Sequence, residues 1–156
     1  VSVEAEKAIA DYLGMPVMAV HEVTTFYNMY NQRPVGKFKL NVCTNLPCQL
    51  RDGYTALHHL EKKLGIAMGE TTVDGMFTLQ QSECLGACAN APMVQINDDN
   101  FEDLTYDSMS GLLEALANDK PVKIGPQIDR QTSCPEGGPT TLKEMVKANH
   151  DYRGDW

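Results

Sequence analysis

Residues 37–48 read Lys37-Phe38-Lys39-Leu40-Asn41-Val42-Cys43-Thr44-Asn45-Leu46-Pro47-Cys48. The first six alternate polar and apolar, with Phe38, Leu40 and Val42 on one face, which is the period of a half-buried strand. That strand runs straight into Cys43, and Cys48 closes a C-x4-C loop. A second strand, Met76-Phe77-Thr78-Leu79-Gln80, leads in the same way toward Glu83-Cys84-Leu85-Gly86-Ala87-Cys88, a C-x3-C pair. The alternation predicts two strands that each deliver a pair of thiols to a loop.

Working outward, Tyr54, Leu57, Leu60 and Leu64 fall at helical spacing, and Gly65 is a natural stop. Pro92-Met93-Val94-Gln95-Ile96 reads as a third short strand, ended by Asn97-Asp98-Asp99-Asn100. Asp107 or Ser108 is expected to cap a last helix burying Met109, Leu112, Leu113 and Leu116. The order strand, helix, strand, strand, helix predicts a small α/β sandwich of thioredoxin type.

Ahead of it, residues 1–33 read as a helical segment in two pieces. Ser2 caps the first, Glu4 and Glu6 suit its N-terminal dipole, and Gly14 stops it. Pro16 suits the first turn of the second, with Val20, Val23, Tyr27 and Tyr30 along a stripe that is most simply a packing face. Residues 34–119 are the expected α/β domain. From 120 to 156 the chain is rich in Pro and Gly and poor in apolar residues, which predicts an extended arm lying on another surface.

Composition narrows the function. The 156 residues carry 13 Lys and Arg against 21 Asp and Glu, a formal net charge of −8. From Asp98 to Asp119 there are seven acids and no base. Nucleic-acid binders neutralise phosphates with Lys and Arg, so that class is excluded, and an anionic membrane surface repels this charge. The acidic stretch reads as a solvated face or as a docking surface for a basic partner. No apolar run approaches the roughly 20 residues needed to span a bilayer. No apolar signal-like core follows Val1, so no secretory leader is read there.

Five cysteines, as two close pairs and a lone Cys134, point to a metal centre rather than to a disulfide framework. Four converging thiolates require a cation to neutralise them. Zinc takes four thiolates in a tetrahedron, and a [2Fe–2S] cluster takes two on each iron. Leu85-Gly86-Ala87 permits close backbone approach, Thr44 and Asn45 have N–H groups to offer, and Leu46 and Leu85 are apolar enough to exclude water. Zinc turns more often use C-x2-C. The spacing therefore leans to iron–sulfur, with zinc and dithiol redox chemistry left open. His21, His58, His59 and His150 are remote from the cysteines in sequence, against a Rieske centre.

Beyond these motifs, the chain resembles the thioredoxin-like [2Fe–2S] ferredoxin subunit of the NADH dehydrogenase module of respiratory complex I. Thr25-Phe26-Tyr27-Asn28-Met29-Tyr30, both cysteine loops, Asn90-Ala91-Pro92-Met93-Val94-Gln95-Ile96-Asn97, Gly125-Pro126 and Ser133-Cys134-Pro135 carry the resemblance. It implies cluster ligands Cys43, Cys48, Cys84 and Cys88, and a non-ligand role for Cys134. It also implies a partner flavoprotein subunit holding FMN, NADH and a [4Fe–4S] cluster, with a neighbouring iron–sulfur subunit. The [2Fe–2S] centre is then an electron store beside the flavin, with no substrate site of its own. Related subunits serve NAD-linked hydrogenases and formate dehydrogenases. The implied location is peripheral, on the cytoplasmic side of a bacterial inner membrane or the matrix side of a mitochondrial one. The family ordinarily carries further helix ahead of the point where Val1 stands.

Overall fold

The computed structural model describes residues 1–138 together with Thr140 and Thr141. Its first elements are helices α1 (Val3–Leu13) and α2 (Val17–Phe26), packed as a hairpin. Ser2 caps α1 by accepting from the Ala5 N–H at 3.2 Å, and Gly14 ends it in the left-handed region at φ 64°. Pro16 stands one residue earlier than expected, as the N-cap of α2. That helix also stops at Phe26, short of the tyrosines. Tyr27 and Tyr30 leave it as an edge-to-face pair with centroids 6.3 Å apart, both exposed, and Val23 is exposed as well. The stripe therefore buries only Val20 inside this chain.

Next come β1 (Phe38–Cys43), a single helical turn α3 (Leu46–Gln49), α4 (Gly53–Leu64) and β2 (Phe77–Ser82). They are followed by β3 (Val94–Ile96), β4 (Asp99–Glu102), α5 (Tyr106–Ala117) and the two-residue β5 (Gly125–Pro126). The sheet order is β2-β1-β3-β4-β5. Strand β1 runs parallel to β2 and antiparallel to β3, while β3 and β4 form a hairpin and β5 adds parallel to β4.

That hairpin differs from expectation. Asn97-Asp98-Asp99-Asn100 does not end the sheet: Asn97 adopts φ 53°, a conformation Asn tolerates, and the chain turns so that Ile96 pairs with Asp99. The cap of α5 also moves. Thr105 accepts from the Ser108 N–H at 3.1 Å while Ser108 Oγ accepts from the Thr105 N–H at 2.8 Å, a reciprocal box set earlier than Asp107.

The core lies between one sheet face and the helices α4 and α5. Leu40 and Val42 of β1, Leu79 of β2, Val94 and Ile96 of β3, and Phe101 of β4 meet Leu57 and Leu60 of α4 and Leu112 and Leu113 of α5. Each such side chain contributes about 1.5–3 kcal/mol on leaving water. The opposite face of β1 is polar yet also buried. Lys39 Nζ donates to Asn28 O at 3.0 Å and to Asn31 Oδ1 at 2.7 Å, and burial holds its pKa below the ordinary lysine value. Asn41 Nδ2 donates to Gln95 Oε1 at 3.2 Å. The residues after α2 thus cover the second face of the sheet. The described part of the arm runs along β4; Pro139 and residues 142–156, within the expected arm, lie outside the described residues.

Candidate iron–sulfur site

The register of the two parallel strands assembles the site. Cys43 is paired with Ser82 at the ends of β1 and β2, so both chains leave the sheet at the same end and in the same direction. Cys84 follows two residues after that pairing. Thr44 N–H to Ser82 O at 3.3 Å continues the ladder into the loops, and Asn45 Nδ2 reaches Glu83 Oε2 at 2.9 Å across them. Asn45 also caps α3 through the Leu46 N–H at 2.8 Å, which turns the chain so that Cys48 points inward. Cys43 and Cys48 are buried, at 2% and 1% exposure, in a cluster with Ala91 and Met93. Leu85 and Ala87 of the second loop pack on that cluster, as expected of Leu85.

The second pair is placed differently. Cys84 and Cys88 are exposed, with their sulfurs 3.4 Å apart. Gly86 between them adopts φ 88°, a conformation that costs glycine nothing and other residues strain. Cys88 begins a 3-10 turn, Cys88–Asn90.

Electrostatics couple the pairs. The Cys48 thiol is pushed up to about 12, first by burial, then by the hydrogen bond and charge of Cys43, with Cys88 adding to it and the Met93 backbone N–H opposing. The Cys88 thiol is also raised, chiefly by its hydrogen bond to Cys84, then by desolvation and by the charges of Cys84 and Cys43. Raised thiols of this kind at Cys48 and Cys88 keep their protons at neutral pH unless a cation takes them. Such a set fits a metal centre and ill suits a dithiol catalyst, which needs a lowered thiol pKa.

The pairing also bears on which metal. Among the described residues no three His, Cys, Asp or Glu side chains converge on a point that would hold one metal ion. The thiols lie as two pairs, a grouping that would offer two donors to each iron of a [2Fe–2S] unit. His58 and His59 lie on α4 against Glu61 and Ser110, and His21 lies against Glu6, all away from the cysteines. His150 falls outside the described residues.

Two expectations about the loops fail. The Thr44 N–H is spent on the Ser82 carbonyl, and Leu46 is 62% exposed and excludes no water within this chain. Two further features escape the sequence pattern. The Met93 backbone serves both buried cysteines, its carbonyl accepting from the Cys43 N–H at 3.3 Å while its N–H meets Cys48. Gly53 lies directly against the carbonyls of Cys43 and Cys48; its place just after the first cysteine loop is the one available signal.

The model of the thioredoxin-like [2Fe–2S] ferredoxin family matches residues 1–117. The chain belongs to this family. Among curated relatives, the ferredoxin is 45% identical over 144 residues to "NADH dehydrogenase [ubiquinone] flavoprotein 2, mitochondrial" of Dictyostelium discoideum, covering 92% of this chain and 58% of that protein. It is 50% identical over 117 residues to a subunit of the NADH-quinone oxidoreductase of Rickettsia conorii, covering 75% of this chain and 70% of that one. In fold, the ferredoxin superposes on an NAD+-reducing [NiFe]-hydrogenase chain in the H2-reduced state with a TM-score of 0.66 at 18% identity. That match covers 76% of this chain and 21% of the hydrogenase chain. The thioredoxin-like architecture read from the strand and helix order is thus the observed one.

Proposed function

We propose that this ferredoxin is the one-electron carrier of the NADH-oxidising module of an NADH:quinone oxidoreductase, and that Cys43, Cys48, Cys84 and Cys88 hold its [2Fe–2S] cluster. The observation that carries the reading is the delivery of two thiol pairs to one end of the sheet by parallel strands in register, in a chain 50% identical over 117 residues to an NADH-quinone oxidoreductase subunit. Bound there, the cluster supplies storage of a single electron.

The protein's own residues do the rest. The buried pair at Cys43 and Cys48 keeps water from one side of the site, and the Met93 N–H stabilises charge on Cys48. The exposed pair at Cys84 and Cys88 is the side from which an electron enters or leaves. On this reading the donor is FMN on a flavoprotein subunit that also binds NADH and a [4Fe–4S] cluster, with a further iron–sulfur subunit nearby. On this reading residues 1–33 are the helical segment, 34–119 the cluster domain and the described residues from 120 onward the arm. The assembly is peripheral, on the cytoplasmic face of a bacterial membrane or the matrix face of a mitochondrial one. No helix among the described residues is long and apolar enough to cross a membrane.

Iron and acid-labile sulfide analysis of anaerobically purified protein, with EPR after dithionite reduction, tests the reading. About two irons and two sulfides per chain with an S = 1/2 signal are expected of a [2Fe–2S] centre. Stoichiometric zinc without sulfide would make the site a structural one.

A further inference from the structure

The arm and the second cysteine loop meet at a buried ion pair. Arg130 Nε and Nη2 grip the two carboxylate oxygens of Asp103 at 2.9 and 2.5 Å, with the side chains only 9% and 8% exposed. The rest of the guanidinium is also occupied: Nη1 donates to Cys134 O and Nη2 to Ala89 O, each at 3.0 Å. Asn90, 1% exposed, completes the junction. Its Nδ2 donates to Asp103 Oδ2 at 3.1 Å and to Thr132 O at 2.9 Å, and its carbonyl accepts from the Asp103 N–H at 2.7 Å. One planar fork therefore ties the turn that begins at Cys88, the end of β4 and the arm.

The loop needs such a tie. Cys84 and Cys88 are exposed, and a cleft of about 340 Å³ lined by Leu85, Gly86, Glu102 and Thr132 separates the loop from the arm. Leu85 and Ala87 pack the loop onto the buried cysteine cluster, and toward the arm the polar contacts at Ala89 and Asn90 hold it. A guanidinium suits the task, because its rigid, bidentate fork fixes direction as well as distance and a lysine does not.

We infer that Arg130 is a positioning residue for the cluster: by holding Asp103, Ala89 and, through Asp103, Asn90, it fixes the turn that begins at Cys88 and so the placement of the Cys84 and Cys88 thiols that would hold iron. The inference rests on the four-cysteine reading for its consequence, but the pin is a property of the protein chain alone. Cys134 enters it through its backbone carbonyl, which gives that residue a place without a thiol role.

The test compares the full-length protein with Arg130→Met, Arg130→Lys and Asp103→Asn, and with Lys123→Met as a control. Lys123 Nζ bonds the arm to itself at Ile128 O, 3.1 Å away, without touching the loop. Hydrogen exchange at residues 84–91 reads the pin, and bleaching of visible absorbance under an iron chelator reads its consequence. Arg130→Met is expected to speed both by about tenfold or more, the factor that follows from losing one hydrogen bond to a charged group. Arg130→Lys should fall between parent and Arg130→Met, and Lys123→Met should match the parent. Unchanged exchange at 84–91, or an equal rise throughout the chain, overturns the inference. If Arg130→Met does not fold, the lysine and asparagine variants decide by the same readouts. A parent without iron would sink the cluster reading, while the exchange comparison would still decide the pin.

Discussion

Gly53 stands against the backbone of Cys48. A methyl group on its Cα would lie 2.8 Å from the Cys48 carbonyl oxygen and 3.0 Å from that of Cys43. The first turn of α4 is therefore packed onto both buried thiol residues, and no side chain fits between them. The neighbouring atoms are backbone, which cannot swing aside.

Gly53→Ala should accordingly cost about 1–3 kcal/mol through overpacking. It should also lower iron content per chain, because relief of the clash moves Cys43 or Cys48. Gly111→Ala makes the contrast: within α5, with open space around the new methyl, it should be neutral or stabilising by about 0.5–1 kcal/mol. Denaturant titration with iron analysis measures both. A Gly53→Ala protein with parental stability and iron would refute the packing argument.

The four proposed ligands differ from Cys134 in where their thiols lie. Cys88→Ser should lose the cluster or broaden its EPR signal, whereas Cys134→Ser should leave the spectrum as it is. The Cys134 carbonyl, which meets Arg130, survives the change to serine. Equal spectral damage from both variants would sink the ligand assignment.

What was legible in the sequence follows from the range of the forces involved. Strand β1, helix α4 and helix α5 were legible because their apolar residues repeat at the period of the element, and Leu40, Leu60 and Leu112 lie in the core as that period requires. The cysteine pairs were legible from spacing. Strand β4 was not, since Asp99 and Asn100 are turn formers by composition and only their pairing with Ile96 and Gln95 makes them a strand. The burial of Lys39 and Asn41 was equally hidden, because alternation predicts a wet face and their partners lie 11 and 54 residues away. The Arg130–Asp103 junction has no period at all. It joins residues 27 apart in sequence, and only the route of the arm brings them together.

Lys39 offers a local test of that hidden face. Lys39→Met keeps the apolar stem and removes the donor, leaving Asn28 O and Asn31 Oδ1 without their partner. Both acceptors line a cleft of about 550 Å³, so water reaches them and the global cost stays small. Hydrogen exchange should rise in residues 27–35 while the melting temperature barely moves. A cooperative loss of stability across the chain would mean that the lysine supports the core itself.

Glu6 sets an acid limit on the helical hairpin. Its carboxyl, 4% exposed on α1, accepts from the Thr24 hydroxyl of α2 and lies 3.0 Å from His21 Nδ1. The Thr24 hydrogen bond, with the bond and charge of His21 behind it, holds the Glu6 pKa below its ordinary value of 4.5 against the pull of desolvation. The folded value lies below the unfolded one, so the stabilisation is fully present above pH 4.5 and is lost as pH falls through the lower, folded value. Glu6→Gln removes that titration. The variant should melt lower than the parent at pH 7, and the gap should close in the acid range where the parent's carboxyl is itself protonated. Thermal melts of both proteins across that range, followed by hydrogen exchange of residues 3–26, measure it. A gap independent of pH would show that packing, and not the charge of Glu6, joins α1 to α2.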